Sequence, residues 1–145
     1  MKRGLDTNVL IYAHIPSFEQ HGRVKRFLEE QLEDPDVTLV VSPGILHEFI
    51  HIVTDARRFE NPLTMSEASA VASLYVNSSN IECPGVDGAV FLEALDLMDM
   101  HRLGRKRLAD TLFAAILLHH GVEDLITCNP RDFKIFEGLT VIDPS

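Results

Sequence analysis

Cysteine is scarce in this chain. Its 145 residues include two, Cys83 and Cys128. They show no metal-type spacing, and two cysteines do not make a disulfide framework, so reduced thiols in a cytoplasmic protein are expected. Long apolar runs are missing too. No window approaches the ~20 residues that a membrane-spanning helix needs. The first residues meet an acid at Asp6, so they are not expected to act as a signal peptide. Basic residues are few, with 13 Lys and Arg against 22 Asp and Glu and a formal charge of −9. That balance argues against a general polyanion-binding surface. It leaves room for a small basic entrance to an acidic site. Repeats and internal linkers are also absent, so residues 1–145 are expected to form one domain around one core.

What is present is an alternation of strand and helix patterns. Gly4-Leu5 leads into Asp6-Thr7-Asn8 and then a second apolar run, which predicts a buried strand ending at Asp6 and a helix opening at Thr7 or Asn8. A helix is predicted from Phe18 to Leu32. Val37 to Val41 is a β-branched run expected in a parallel strand. Ser42-Pro43 is an N-cap followed by proline at the first helical position, and that helix should reach about Thr54. Ser66 to Asn77 predicts a helix, and Asn80 to Pro84 a weak strand. Gly88 to His101 is amphipathic, with Val90, Leu92, Leu95 and Met98 expected inward and Glu93, Asp96 and Asp99 on a solvated stripe. Leu108 to His120 is a mostly apolar helix ended by Gly121. Asp124 to Cys128 and Thr140 to Asp143 complete the strands, with a helical turn near Asp132 between them. The expected fold is α/β, a mostly parallel sheet of four to five strands with helices on both faces.

Acidic and amide side chains fall where such a sheet keeps its ligands. Asp6 ends the first strand, where it is either a plain helix cap or a ligand. Glu48 lies at the margin of the apolar arc formed by Ile45, Leu46, Phe49, Ile50, Ile52 and Val53, so partial desolvation is expected there. Asp110 interrupts an apolar helix near its start, a place the helix dipole favours for an acid. Asn129 and Asp132 follow the fourth strand. Hard oxygen donors of this kind suit Mg²⁺ or Mn²⁺. A cation would relieve their mutual repulsion and organise a water nucleophile, as in phosphodiester hydrolysis.

Four motifs in order, Leu5-Asp6-Thr7-Asn8-Val9-Leu10, Glu48, Arg107 to Ala115 and Leu125 to Phe133, resemble those of the PIN domain, more narrowly VapC-type toxins of toxin–antitoxin pairs. The resemblance implies a Mg²⁺- or Mn²⁺-dependent ribonuclease, inhibited by a cognate antitoxin and usually a homodimer. It implies metal-binding acids at Asp6, Glu48 and Asp110. The chain departs from the pattern at Asn129, where many relatives carry Asp, so Asp132 becomes a second candidate for that corner. On this reading Asp6 and Asp110 bind the metal, and Glu48 orients or deprotonates the attacking water. Thr7, Asn8 and Thr127 hold carboxylate rotamers by hydrogen bonds. Arg105, Lys106 and Arg107 supply local positive charge for RNA.

One rival comes from another enzyme class. His47-Glu48-Phe49-Ile50-His51 spells H-E-x-x-H, which on a helix could hold Zn²⁺ with Glu48 as base. A catalytic zinc needs a third protein ligand, and His101, His119 and His120 lack a recognised spacing for it. Zinc also leaves Asp6, Asp110 and the Thr127 to Phe133 motif unexplained. A catalytically silent binding module is the remaining alternative. The intact acids speak for activity.

Overall fold

The computed structural model describes residues 1–145. The elements run β1 (Lys2–Leu5), α1 (Thr7–His14), α2 (His21–Glu33), β2 (Thr38–Val40), α3 (Pro43–Val53), α4 (Met65–Asn77), β3 (Ile81–Glu82), α5 (Gly88–Met100), α6 (Leu108–His119), β4 (Asp124–Ile126) and β5 (Thr140–Ile142). Single 3₁₀ turns at Arg105–Arg107 and Pro130–Asp132 precede α6 and follow β4. All five strands pair in parallel, in the order β3-β2-β1-β4-β5.

That order locates the site. From β1 the chain winds outward through β2 to β3, then crosses back to β4 and winds outward the other way to β5. Right-handed crossovers put α1 to α4 on one face and α5 with α6 on the other. The reversal falls between β1 and β4. In open parallel sheets a crevice forms there, outside the carboxyl ends of the two strands. Asp6 stands at the end of β1 and Thr127 just after β4.

Local chemistry sets the elements. Ser42 Oγ accepts from Ile45 N at 3.2 Å, with Pro43 beginning α3. Thr64 and Glu67 form a reciprocal capping box, which starts α4 one residue before the predicted Ser66. Gly121, at φ +68°, ends α6 in the left-handed region. A Cβ on Gly4 would lie 2.6 Å from Leu117 Cδ1. The missing side chain therefore lets α6 settle directly on β1.

Two expectations need correction. The helix predicted from Phe18 begins at His21; Phe18 instead packs edge-on to Tyr12 and Phe59, with ring centroids 4.8 and 5.8 Å away. On α5, Val90 and Ala94 are buried, but Leu92 and Leu95 are 62% and 42% exposed rather than inward. The helix has more apolar residues than its packing against α6 can cover. Periodicity alone does not choose which of them turn in.

Candidate active site

Asp6 is the N-cap of α1 and is nearly fully buried. Its Oδ1 accepts from Thr7 N at 2.8 Å. Its Oδ2 accepts from the Thr127 hydroxyl at 2.8 Å and from Asn8 Nδ2 at 3.2 Å. Capping and site chemistry thus coexist in one side chain. Asn8 is itself tied down, since its Oδ1 accepts from Cys128 N at 3.0 Å and its Nδ2 also reaches Thr127 Oγ1 at 3.3 Å. These bonds stitch the start of α1 to the end of β4 and leave the Asp6 carboxylate one rotamer.

Glu48 reaches the same centre from α3. Its Oε2 accepts from the Thr7 hydroxyl at 2.9 Å. It is exposed, not partly desolvated as its helical position suggested. The margin of the apolar arc opens here onto a cleft instead of packing beneath another element.

Asp110 occupies the first turn of α6. Arg107 Nε stands 3.7 Å from its Oδ2, with both side chains roughly a quarter exposed, at 27% and 29%. Arg107 Nη2 also donates to the Asp132 carbonyl. This guanidinium, expected to face RNA, is folded inward as a counter-charge and a tie between α6 and the turn after β4. An Arg three residues before an acid at a helix start was a readable sign of such a pair. Arg105 and Lys106 remain exposed. Asn129 Nδ2 donates to Asp132 Oδ2, and Asn129 N donates to Thr127 Oγ1 at 3.0 Å. Asn129 therefore orients Asp132, and the charge at this corner belongs to Asp132.

The electrostatics show crowded anions. Burial pushes the Asp6 carboxyl up to about 7 against its hydrogen bonds from Thr127 and Thr7, with Asp110 and Glu48 adding repulsion. Asp110 is pushed up to about 6, by burial first and then by Asp132, with Arg107 opposing and Glu48 adding to the rise. The acids are neighbours rather than a closed shell, since no three His, Cys, Asp or Glu side chains surround one point at ligating distance. A set of hard oxygens that repel one another and are offset by one arginine is what a divalent cation would fit. His47 and His51 share the exposed face of α3, their rings stacked with centroids 6.3 Å apart. The spacing read from H-E-x-x-H is real, but a third ligand is not assembled beside it.

Comparison with known proteins matches the PIN domain to residues 5–139. The chain belongs to the PIN-domain family. It is 30% identical over 141 residues to Ribonuclease VapC24 of Mycobacterium tuberculosis, covering 97% of this chain and 94% of that one. Ribonuclease VapC48 from the same species is 23% identical over 144 residues, covering 99% and 98%. Among solved structures, VapBC2 from Rickettsia felis, bound to a DNA fragment from its promoter, superposes with a TM-score of 0.68 at 18% identity, covering 99% and 98% of the two chains. Mycobacterium tuberculosis VapC20, described as a sarcin-ricin loop cleaving toxin, gives 0.66 at 17% identity, covering 85% and 86%. These two structures share the PIN fold with this chain.

Proposed function

We propose that this PIN-domain protein is a Mg²⁺- or Mn²⁺-dependent endoribonuclease and the toxin of a toxin–antitoxin pair. The observation that carries the reading is that Asp6 and Asp110 are close enough to Glu48, which Thr7 ties to the start of α1, for the three acids to repel one another where the sheet's winding reverses, with Asp6 and Asp110 held well above the usual carboxylate range. Relatives of similar length called ribonucleases support the substrate class.

Asp6 and Asp110 would hold the cation, with Glu48 and Asp132 at its margin and Asn129 acting through Asp132. When bound, the ion supplies positive charge for the phosphate and lowers the pKa of the attacking water. Glu48, whose Oε2 accepts from the Thr7 hydroxyl at 2.9 Å, would be held in place to accept a proton from the attacking water. Thr127, Asn8 and the Thr7 amide keep the Asp6 carboxylate in place throughout. Arg105 and Lys106 bind flanking phosphates, a local attraction that the chain's net charge does not prevent.

An antitoxin segment carrying an arginine suits the acidic cleft, because a guanidinium pairs bidentately with carboxylates. A homodimer would cover part of the apolar stripe left open on α5 by Phe91, Leu92, Leu95 and Met100. An RNA substrate and two free thiols suit the cytoplasm, and no helix is long and apolar enough to cross a membrane.

The test is cleavage by Asp6→Asn and Asp110→Asn. Each keeps side-chain volume and removes one ligand charge. Both should lose activity while keeping wild-type circular dichroism; full activity in both would sink the proposal.

A further inference from the structure

A cavity of about 330 Å³ opens one helical turn from the Thr7–Glu48 bridge, between α1 and α3. Tyr12, Phe18, Phe59 and Ile52 form its walls, and Asn8 and Arg58 its rim. The three rings meet edge to face, Tyr12 on Phe18 at 4.8 Å and 78° and Phe18 on Phe59 at 5.8 Å and 84°. Asn8 is the same residue whose amide holds Asp6 at 3.2 Å, so the cavity begins where the acidic centre ends. Arg58 is 59% exposed and shares Asp55 with Arg57. Neither the rings nor Arg58 has a part in the hydrolysis derived above.

We propose that this cavity receives an unpaired base of the RNA strand, next to the scissile phosphate. The inference rests on the ribonuclease reading and adds to it a subsite for the substrate. Aromatic walls suit a base because every base has a π-face, and such stacking contributes substantially to single-strand binding. The size is within the range of small-ligand pockets. Arg58 puts a cation at the rim of an acidic chain, where the adjoining phosphate would lie. A purely apolar peptide side chain would make no use of Arg58 at the rim, and so fits less well.

The polar rim also says what the subsite reads. Both N–H groups of the Asn8 amide are engaged, with Asp6 and with Thr127, and its oxygen accepts from Cys128 N. Asn8 therefore has no free group with which to read a base edge. The subsite therefore discriminates by stacking area, favouring purines over pyrimidines, rather than by base identity.

The chain has two tyrosines and no tryptophan. Protein labelled with 3-fluorotyrosine gives two ¹⁹F resonances, with buried Tyr75 as an internal control. In EDTA, AMP and GMP should shift the Tyr12 resonance saturably and more tightly than CMP and UMP, leaving Tyr75 unmoved. Phe59→Leu, and separately the exposed Arg58→Gln, should weaken the response roughly tenfold. With Mg²⁺, Phe59→Leu should still cut RNA but lose the purine preference at one position beside the cut. Wild type that cleaves RNA while Phe59→Leu keeps the same preference would overturn the subsite and leave the nuclease reading intact. Wild type that cleaves no RNA but shows a Tyr12 shift lost in both variants would support the base pocket and overturn the nuclease reading. No shift with any nucleotide, together with saturable filling by an apolar peptide, would assign the cavity to a protein partner and overturn the proposal.

Discussion

The Thr127 hydroxyl donates to Asp6 Oδ2 at 2.8 Å, joining side chains 121 residues apart in the chain. The bond crosses the gap between the ends of β1 and β4. It holds the most deeply buried acid of the cleft in one orientation, and it opposes the rise that burial imposes on that acid.

Thr127→Val removes this donor and keeps the shape. A hydrogen bond to a charged group contributes about 1.5–3 kcal/mol, which corresponds to roughly one or two pKa units. The Asp6 carboxyl should move further up, and the pH midpoint for Mn²⁺ binding should follow it by about one unit. Calorimetric titration across pH would show this, and Thr127→Ser should restore the midpoint. An unmoved midpoint in Thr127→Val would remove Thr127 from the site.

Asp6 should also make the metal-free fold weaker as pH rises. Its carboxyl goes from an ordinary 3.8 to about 7 in the folded chain. Between those values the folded state keeps a proton that the unfolded state has released. Stability is therefore full below the lower value and falls until the upper one is passed. Asp110 acts in the same direction up to about 6. In EDTA, Asp6→Asn should melt several degrees above wild type at about pH 8, an increment expected from a change of about 2 kcal/mol. The gap should close towards about pH 4, and Mg²⁺ should stabilise only wild type. A variant that melts far below wild type at every pH would show that capping outweighs charge at this position.

The strand and helix order was legible because proline, glycine and cap residues punctuate a β-branched and apolar pattern. Ser42-Pro43 and Gly121 behave as their local chemistry dictates. The acids at element ends were legible for the same reason, since a cap position and a ligand position coincide at Asp6. What was not legible depends on packing between distant elements. Glu48 faces open cleft because nothing covers that edge of α3. Leu92 and Leu95 face outward because only one side of α5 is packed. The inward fold of Arg107 needs the Asp132 carbonyl, which belongs to another part of the chain.

Asn129→Asp should tighten Mg²⁺ or Mn²⁺ binding, because it adds a hard anion beside Asp132. It also replaces the amide that donates to Asp132 with a like charge, so the metal-free protein should be less stable near neutral pH. Asp132→Asn should weaken the metal. Calorimetry on both variants, beside thermal melts in EDTA, tests the corner. Wild-type affinity in both would exclude it from the site.

Replacing Arg105 and Lys106 by Ser should weaken RNA binding and lower the magnitude of the slope of log affinity against log salt by about 1.4, at roughly 0.7 per phosphate contact on a single strand. Arg107→Ala should act differently, raising the Asp110 carboxyl further because its counter-charge is gone. An unchanged salt slope in the double variant would place RNA entry elsewhere.

The most direct measurement is cleavage of a mixed-sequence RNA by the purified protein, stripped of any antitoxin, with Mg²⁺ or Mn²⁺, with Zn²⁺ and with EDTA, alongside the His47→Ala, His51→Ala double variant. The account predicts internal cuts with Mg²⁺ or Mn²⁺, none in EDTA, and activity within a few-fold of wild type in the double variant. Cutting undiminished by EDTA, or activity lost together with a stoichiometric zinc in the double variant, would contradict it.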